Sequence, residues 1–383
     1  MRRIKMSEFK PIWHQAITNS LLDGKLFRKN YTVIFSISSP VCGDQIRIRF
    51  SNLLGKENYE IGSLSINCNG TFFPVTFHGK QSFSIPMGMQ VYSDPVEVKV
   101  AKAEDIGIRL FYRNQIIDCN MIEEEANWIK GDATYLKELP SKIHKPLAAK
   151  ILGSYNAIPA IDLIEVRTDD GISSIVAFGD SITALSKWTK PLNERLQKEY
   201  GGRYVLLNSG IAGNCLLHET DGFFAPVFGQ KGTARFQRDV LDLPNVKAVI
   251  IALGVNDVSY LSEETKDIIN EENFIHAITD IVNKLHERNI RVTMSTITPR
   301  LKVARTMGRY DMKMEELRLR LNAWIRSAGI FDYVIDQEKV VADRDENGLF
   351  FKEGFHQGDH LHPNDEGGKA MAEAYDLKKL TGE

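Results

Sequence analysis

The stretch SSIVAFGDS, residues 173–181, decides which class of fold the C-terminal half of the chain adopts. An apolar run ends at Gly179, and a segment with apolar residues at positions 188, 192 and 196 follows it. This pattern predicts a buried strand that turns into an amphipathic helix. A serine at such a junction lies where backbone N–H groups and the helix dipole favour negative charge. The sequence therefore predicts a nucleophile at Ser181.

The same alternation of strand and helix continues towards the C-terminus. Apolar runs predict further buried strands at residues 204–207, 246–253, 291–297 and 333–335. Between them, apolar residues recur every three or four positions, as in Phe274, Ile278, Ile281 and Leu285, or in Met314, Leu317, Leu321 and Trp324. Strands that alternate with amphipathic helices predict a parallel sheet covered on both faces. We therefore expect residues 169–383 to form a three-layer α/β domain.

The N-terminal half has a different periodicity. Apolar and polar residues alternate over short runs, as in Ile46, Ile48 and Phe50; Leu64, Ile66 and Cys68; Phe73, Val75 and Phe77; and Ile106, Ile108, Leu110 and Tyr112. Such runs, separated by Gly, Pro, Asn and Asp, are typical of antiparallel strands. We expect residues 1–168 to form an antiparallel β-sandwich of the jelly-roll type, which ends at the turn of residues 168–171.

Composition and charge exclude several classes of protein. The 383 residues include 48 Lys and Arg against 50 Asp and Glu, so no basic surface for nucleic acid is expected. The four cysteines form no Cys-x-x-Cys pair, which favours four buried thiols in a reducing compartment. The longest apolar run, residues 248–255, is too short to span a membrane. Residues 1–6 are basic, but a polar segment follows instead of the apolar core of an export signal, which predicts a cytoplasmic protein.

Residues that can carry chemistry follow the predicted strands in order. Ser181 follows the first strand, NSGIAGN (residues 208–214) the second, and GVND (residues 254–257) the third. The stretch DHLHP, residues 359–363, lies beyond the last strand. Because ligands of parallel sheets bind at the carboxyl ends of the strands, we expect these four blocks to converge.

The four blocks resemble those of the SGNH, or GDSL, hydrolases, which contribute a Ser, a Gly, an Asn and an Asp-x-x-His pair. The resemblance covers the C-terminal half and implies a serine hydrolase with a flavodoxin-like sheet. ARFQRDVL (residues 234–241) and GDHLHPND (residues 358–365) are similar to the branch related to xylan-associated acylhydrolases and arylesterases.

In that branch a β-sandwich commonly precedes the hydrolase, and QIRIRFSN (residues 45–52) and YSDPV (residues 92–96) are similar to it. One departure is that Ala184 and Leu185 stand where this branch often has a glycine. The resemblance therefore implies that the first helix begins differently in this chain.

The residues themselves support these roles. A serine hydroxyl needs a base within hydrogen-bond reach, and His362 is the candidate. Asp359, three residues earlier, can accept a hydrogen bond from Nδ1–H of the imidazole. An oxyanion needs fixed donors, for which we predict the backbone N–H groups of Ser181 and Gly213 and the side-chain amide of Asn256. Each signal is weak alone, but their order at successive strand ends predicts a catalytic site.

Two other interpretations follow from the same sequence. A metal site could be formed by His356, Asp359, His360 and His362, but it would leave the serine, glycine and asparagine blocks without a role. We therefore expect no metal and no other cofactor. The second alternative is a carbohydrate-binding or scaffold protein whose hydrolase half is inert. Arylesterase, lipase-like or thioesterase activity would use the same residues and differ only in substrate.

The long connections after the second and third blocks lie where a substrate would approach. They carry His218, Phe223 and Tyr260, which together with Trp188 are the predicted substrate contacts. The alternative is that Phe223, Phe224 and Phe228 fill the core beneath a loop. Aromatic faces mixed with polar groups suit a sugar ring that bears a small acyl ester. We therefore expect a small-molecule acyl ester as substrate, with acetylated oligosaccharides such as xylo-oligosaccharides as the preferred class.

Overall fold

The computed structural model describes residues 7–19, 29–114, 116–122, 126–139, 156–303 and 312–383. The chain divides into two compact units, residues 1–172 and 173–383. The boundary predicted after residue 168 lies in the same connection between strands. Residues 1–6, on which the prediction about export rests, lie outside the described residues. No helix in the described ranges is both long and apolar enough to cross a membrane.

The N-terminal unit contains antiparallel sheets, as the alternating pattern predicted. Its strands are β1 (Glu8–His14), β2 (Thr18–Asn19), β3 (Tyr31–Ser38), β4 (Gly43–Ser51), β5 (Tyr59–Cys68), β6 (Thr71–Pro74), β7 (Phe83–Ile85), β8 (Gln90–Tyr92), β9 (Val96–Val100), β10 (Asp105–Tyr112), β11 (Asp118–Ile122), β12 (Asn127–Lys130), β13 (Asn156–Pro159) and β14 (Ile161–Thr168). One sheet has the order β1-β14-β4-β8, and β9 also pairs with β4. A second has the order β12-β3-β10-β5-β6, and β7 also pairs with β5, while β13, β11 and β2 form a third.

The predicted apolar faces form the core of this unit. Ile46 and Ile48 on β4 and Ile108 on β10 are fully buried. A buried ion pair joins β4 to β14, since the Arg49 guanidinium donates to both carboxylate oxygens of Asp162, at 3.0 and 2.7 Å. The ion pair and the apolar faces together fix the register of β4 against β14.

Two strands differ from the predicted pattern. β6 ends at Pro74 instead of continuing to Phe77, although the N–H of Val75 still donates to the Leu64 carbonyl of β5 at 3.0 Å. β1 was not predicted, since it includes Pro11 and lacks strict alternation, yet it pairs with β14 from Glu8 to His14. Its strand conformation depends on this long-range partner.

The C-terminal unit contains the predicted parallel sheet. Its strands are β15 (Ser173–Gly179), β16 (Tyr204–Gly210), β17 (Val246–Ala252), β18 (Arg291–Ser295) and β19 (Tyr333–Ile335). They pair in the order β16-β15-β17-β18-β19, and each of these pairings is parallel. This is the flavodoxin-like order, in which ligands bind at the carboxyl ends of the strands where the order reverses. The ends of β15, β16 and β17 therefore define the edge where a site is expected.

Helices alternate with these strands. They are α1 (Ser181–Ala184), α2 (Thr189–Tyr200), α3 (Ala225–Phe228), α4 (Gly232–Phe236), α5 (Val255–Ser259), α6 (Glu271–His286), α7 (Met312–Ser327), α8 (Gln337–Val341), α9 (Asp365–Glu373) and α10 (Leu377–Thr381). A π-helical turn at Gln237–Leu241 continues α4, and β20 (Ala342–Asp345) and β21 (Gly348–Phe351) form an antiparallel hairpin. Side-chain caps begin α6 at Asn270 and α9 at Asn364.

The first helix, α1, is only four residues long and packs closely on β16. It begins at Ser181, capped by the Asp180 carboxylate, and ends at Ala184. A Cβ on Gly210 of β16 would lie 2.3 Å from the backbone nitrogen of Ala184. The glycine that permits this close contact is therefore in the neighbouring strand, while the helix itself carries alanine.

We expect Gly210→Ala to destabilise the C-terminal unit. The new methyl group would overlap backbone atoms of α1, which cannot move without displacing Ser181, so the free energy of unfolding should fall by about 1–3 kcal/mol or more. Thermal denaturation measures this change. Gly107→Ala on β10 is the control, because its Cβ would come no closer than 3.3 Å to the Asn67 side chain. Equal melting temperatures for the two variants would contradict the prediction.

Candidate active site

Ser181 lies at the junction between β15 and α1. β15 ends at Gly179, where a Cβ would lie 2.0 Å from Oγ1 of Thr183, so the turn requires glycine. The Asp180 carboxylate accepts the backbone N–H of Ile182 at 2.9 Å and caps the helix. The N–H of Ser181 is the first of α1 and has no acceptor within the helix. The end of β15 and the start of α1 thus fix the positions of both the hydroxyl and the backbone N–H of Ser181.

The loop after β21 brings His362 to Ser181. Nε2 of His362 lies 2.8 Å from Oγ of Ser181, and Nδ1 lies 2.5 Å from Oδ2 of Asp359. The other carboxylate oxygen of Asp359 accepts the backbone N–H groups of Leu361 and His362, each at 3.0 Å. Because an ionised carboxylate only accepts, Nδ1 carries the proton and Nε2 keeps its lone pair towards the serine. The structure therefore brings together the three residues predicted to be catalytic.

The environment of Asp359 keeps its carboxylate ionised. Burial raises the pKa of Asp359, but the hydrogen bond and charge of His362 and two backbone N–H groups lower that pKa more strongly. The pKa of Asp359 therefore lies well below its ordinary range. A carboxylate that stays ionised in acid can hold the imidazole in one tautomer and stabilise its protonated form.

Two other carboxyl groups near Ser181 are fully buried. Burial raises the pKa of Asp180 to about 7 and the pKa of Asp257 to about 6. The Asp257 carboxylate accepts the backbone N–H groups of Leu216 and Leu217, each at 2.8 Å, and so anchors the loop after β16 to α5. Because burial disfavours their charged forms, Asp359 is the most strongly ionised carboxyl group of the site.

The two other predicted oxyanion donors lie on neighbouring loops. Gly213 has a φ of +71°, and a Cβ there would lie 2.1 Å from the Phe228 ring, so this position requires glycine. Within the described residues, no backbone hydrogen bond uses the N–H of Gly213. The Asn256 side chain donates to the carbonyl of Asn214 at 3.0 Å, which joins the loops after β16 and β17. An amide nitrogen carries two hydrogens, so Asn256 keeps one for a further acceptor.

The four predicted substrate contacts differ in burial. Trp188 is buried and stacks on Tyr375, with ring centroids 5.7 Å apart, so it packs in the core and its predicted contact with substrate is wrong for this conformation. His218 and Tyr260 are half-buried, and their rings lie 6.1 Å apart. Phe223 is 57% exposed, which excludes the alternative that it fills the core beneath a loop.

Phe223 is the outermost ring of an aromatic series. Its centroid lies 5.1 Å from that of Phe224, which in turn stacks on Phe228 at 6.2 Å. The Phe228 ring contacts Gly213, as the close approach to its Cα requires. The series therefore leads from the candidate oxyanion glycine to solvent.

A cluster of histidines supports the loop that carries His362. Ligand-type atoms of Glu353, His356 and His360 lie within 4.8 Å of one another. Nδ1 of His356 accepts the backbone N–H groups of Gly358 and His360, at 2.9 and 3.2 Å, so its proton lies on Nε2, which faces Glu353 at 3.3 Å. A cation would need the lone pair that this nitrogen lacks. Among the described residues, the structure groups Glu353 with two histidines and not the set considered for a metal site, His356, Asp359, His360 and His362.

Sequence reasoning missed one residue that holds the site together. Arg235 is fully buried on α4 and donates to the carbonyls of Gly179 and Ser209, at 2.8 and 2.9 Å. It lies in the stretch of residues 234–241, for which the sequence offered only a resemblance. The acceptors belong to segments that are distant in sequence, so no local pattern indicates this role.

Comparisons with known proteins give one match to a family. The model described as "GDSL-like Lipase/Acylhydrolase family" matches residues 177–370. No curated protein matches the chain. The matched range includes Ser181, Gly213, Asn256, Asp359 and His362.

Several solved structures are similar to this chain. A GDSL-like lipase from Bacteroides thetaiotaomicron is 19% identical, with 55% of this chain and 89% of that chain covered and a TM-score of 0.40. An alpha/beta hydrolase enzyme from the metagenome of Lake Arreo is 19% identical, with 56% and 96% covered and a TM-score of 0.40. An acetyl xylan esterase is 22% identical, with 52% and 96% covered and a TM-score of 0.36.

We expect a fluorophosphonate probe to label Ser181. The Oγ–P bond forms and the P–F bond breaks, while the hydroxyl proton passes to Nε2 of His362 and fluoride leaves. Because the imidazole must be neutral to accept this proton, the labelling rate should fall as the pH is lowered, while Asp359 stays ionised. Asp359→Asn should slow labelling on the order of 10⁴-fold, since the imidazole loses its tautomer. Mass spectrometry of the labelled protein measures both effects.

Asp343→Asn, on the exposed β20 strand, is the matched control and should label at the wild-type rate. Labelling that is independent of pH from acid to neutral, or equal in the Asp359 variant and its control, would contradict the assignment.

Proposed function

The chain belongs to the GDSL-like lipase/acylhydrolase family, and from that membership we propose that it hydrolyses short-chain acyl esters through an acyl-enzyme on Ser181. Members of an acylhydrolase family are ester hydrolases, so the reaction class follows from the family. The assignment of Ser181 rests on one observation. The hydroxyl of Ser181, the imidazole of His362 and the carboxylate of Asp359 form a continuous line of hydrogen bonds.

The proposed reaction has two halves. Oγ of Ser181 attacks the acyl carbonyl carbon while Nε2 of His362 takes the hydroxyl proton, and Asp359 stabilises the imidazolium. The C–O bond to the alcohol then breaks, and His362 returns the proton to the departing alkoxide oxygen. Water, deprotonated by His362, attacks the acyl-enzyme, and the acid is released from Ser181. Every proton is returned, so no external acid, base or oxidant is needed.

The tetrahedral intermediates need donors for one negative oxygen. The N–H groups of Ser181 and Gly213 and the free amide hydrogen of Asn256 are the proposed donors. Loss of one such donor typically costs roughly a hundred- to a thousand-fold in rate. The glycine requirement at position 213 supports this role, because a Cβ would displace the backbone N–H from its place beside Phe228.

The substrate that we propose is a small acyl ester, with acetyl groups on oligosaccharides such as xylo-oligosaccharides as the preferred class. Exposed aromatic rings beside the site can stack on the apolar faces of sugars, and Phe223 and Phe224 are exposed on the connection after β16. Exposed acidic side chains nearby, Glu219 and Asp221, can accept hydrogen bonds from sugar hydroxyls. The similarity of residues 234–241 and 358–365 to the xylan-associated branch favours the same class.

The test is a substrate panel measured as kcat/KM. p-Nitrophenyl esters from acetate to octanoate and acetylated xylo-oligosaccharides are compared, and we expect acetate to be preferred over longer chains. Ser181→Ala should lose activity on the order of 10⁶-fold. Ser327→Ala, at an exposed position at the end of α7, is the control and should retain full activity. EDTA should have no effect, because none of the proposed steps uses a metal.

The sugar preference is tested separately in the same panel. Phe223→Ala should raise KM for acetylated xylo-oligosaccharides about 3- to 10-fold, the cost of one aromatic contact. Its KM for p-nitrophenyl acetate should not change. Full activity of Ser181→Ala would contradict the assignment of Ser181 as the nucleophile. A preference for octanoate would contradict only the proposed specificity for acetyl esters. Binding of oligosaccharides without turnover would favour a carbohydrate-binding protein.

A further inference from the structure

Arg235 is enclosed between the strand that ends at Ser181 and the loop that carries Gly213. Its side chain has no exposed surface. Nη2 donates to the Gly179 carbonyl at 2.8 Å, and Nε donates to the Asn214 side-chain carbonyl at 2.9 Å. One planar group thus binds the residue two positions before the nucleophile and the residue directly after the glycine donor.

The remaining contacts hold the guanidinium in place. Nη1 donates to the Ser209 carbonyl at 2.9 Å and to the Asp239 carboxylate at 3.0 Å. The guanidinium carbon lies 4.3 Å from the centre of the Phe178 ring. Burial lowers the pKa of Arg235 to about 10 while the Asp239 charge opposes that shift, so the side chain is still protonated at neutral pH. The cation is therefore charged and paired, and four hydrogen bonds fix its orientation.

Asn214 extends these contacts to the third oxyanion donor. Its side-chain nitrogen donates to the carbonyls of Phe228 and Gln230, at 2.8 and 2.7 Å. Its backbone carbonyl accepts from Asn256 at 3.0 Å. Asn214 therefore joins Arg235 to Asn256 as well as to Gly213.

We propose that Arg235 is a positioning residue that sets the spacing of the oxyanion donors of Ser181, Gly213 and Asn256. It touches no reacting atom and acts only through the backbone of Gly179 and the side chain of Asn214. This inference rests on the proposed function for the identity of the donors. A guanidinium suits the task because its donors are fixed in one plane, whereas a lysine ammonium cannot reach separate acceptors at the same angles.

A positioning role and a merely structural role predict different kinetics. Oxyanion donors act on charge that develops in the transition state, so their displacement lowers kcat and leaves KM nearly unchanged. A merely structural arginine would lower the melting temperature without this selective loss of kcat. The labelling rate with a fluorophosphonate should fall with kcat, because the phosphonyl oxygen of the probe occupies the same donors.

The experiment compares Arg235→Lys with Arg318→Lys in the full chain, at a temperature well below both melting points. Arg318 is the matched control, because it is equally buried, pairs with Glu315 and donates to the Ile297 carbonyl. For Arg235→Lys we expect kcat for p-nitrophenyl acetate and the labelling rate of Ser181 to fall on the order of 10²-fold. KM should stay within about twofold, because the lost interaction is made only in the transition state. Arg318→Lys should lower the melting temperature but keep both rates.

A second variant keeps the inference falsifiable if Arg235→Lys does not fold. Asn214→Ser removes the side-chain carbonyl that accepts from Nε, and with it the amide bonds to Phe228 and Gln230, while Arg235 stays in place. It should lower the two rates in the same proportion with KM unchanged. Wild-type rates in a folded Arg235→Lys or in Asn214→Ser, or equal losses in Arg318→Lys, would overturn the inference. A wild-type protein whose Ser181 reacts with the probe but that hydrolyses no ester would overturn the proposed function alone, because the labelling rates still test Arg235.

Discussion

The hydrogen bond from Ser181 to Nε2 of His362, at 2.8 Å, joins residues 181 positions apart, and the rest of the site depends on it. Its serine end is fixed by a turn that only glycine allows at position 179, and by a four-residue helix packed on Gly210. Its histidine end is fixed by the Asp359 carboxylate, which binds both the ring and the backbone of the same loop. Both side chains are held in place by these contacts, so the Ser181–His362 geometry is already formed in the absence of substrate.

The ionisable groups around this hydrogen bond differ in how burial and hydrogen bonding shift their pKa values. Asp359 stays ionised because hydrogen bonds outweigh the effect of burial on its pKa. For Asp180 and Asp257 the effect of burial prevails and raises the pKa values, to about 7 and about 6. Arg235 brings a buried positive charge, paired with Asp239, into contact with Gly179 and Asn214.

Much of this could be predicted from the sequence, because the decisive signals are local. Apolar runs and the residues that follow them identified the parallel strands, and with them the positions of Ser181, Gly213 and Asn256. The predictions fail at residues whose environment is determined by tertiary contacts with segments distant in sequence. Trp188 was predicted to meet substrate, but it stacks on Tyr375 from a segment near the C-terminus. The partners of Arg235 are likewise distant in sequence, and a buried arginine looks the same in a sequence as an exposed one.

In the mechanism that we propose, Ser181 carries the acyl group during turnover. The most direct measurement is rapid acid quenching of the enzyme during turnover of p-nitrophenyl acetate, followed by mass spectrometry of its peptides. We predict one acetyl group on the peptide that contains Ser181, formed within the first turnover and lost as substrate is exhausted. An acetyl group on another side chain that forms and decays at the rate of turnover, or steady turnover with no acylated peptide, would contradict it.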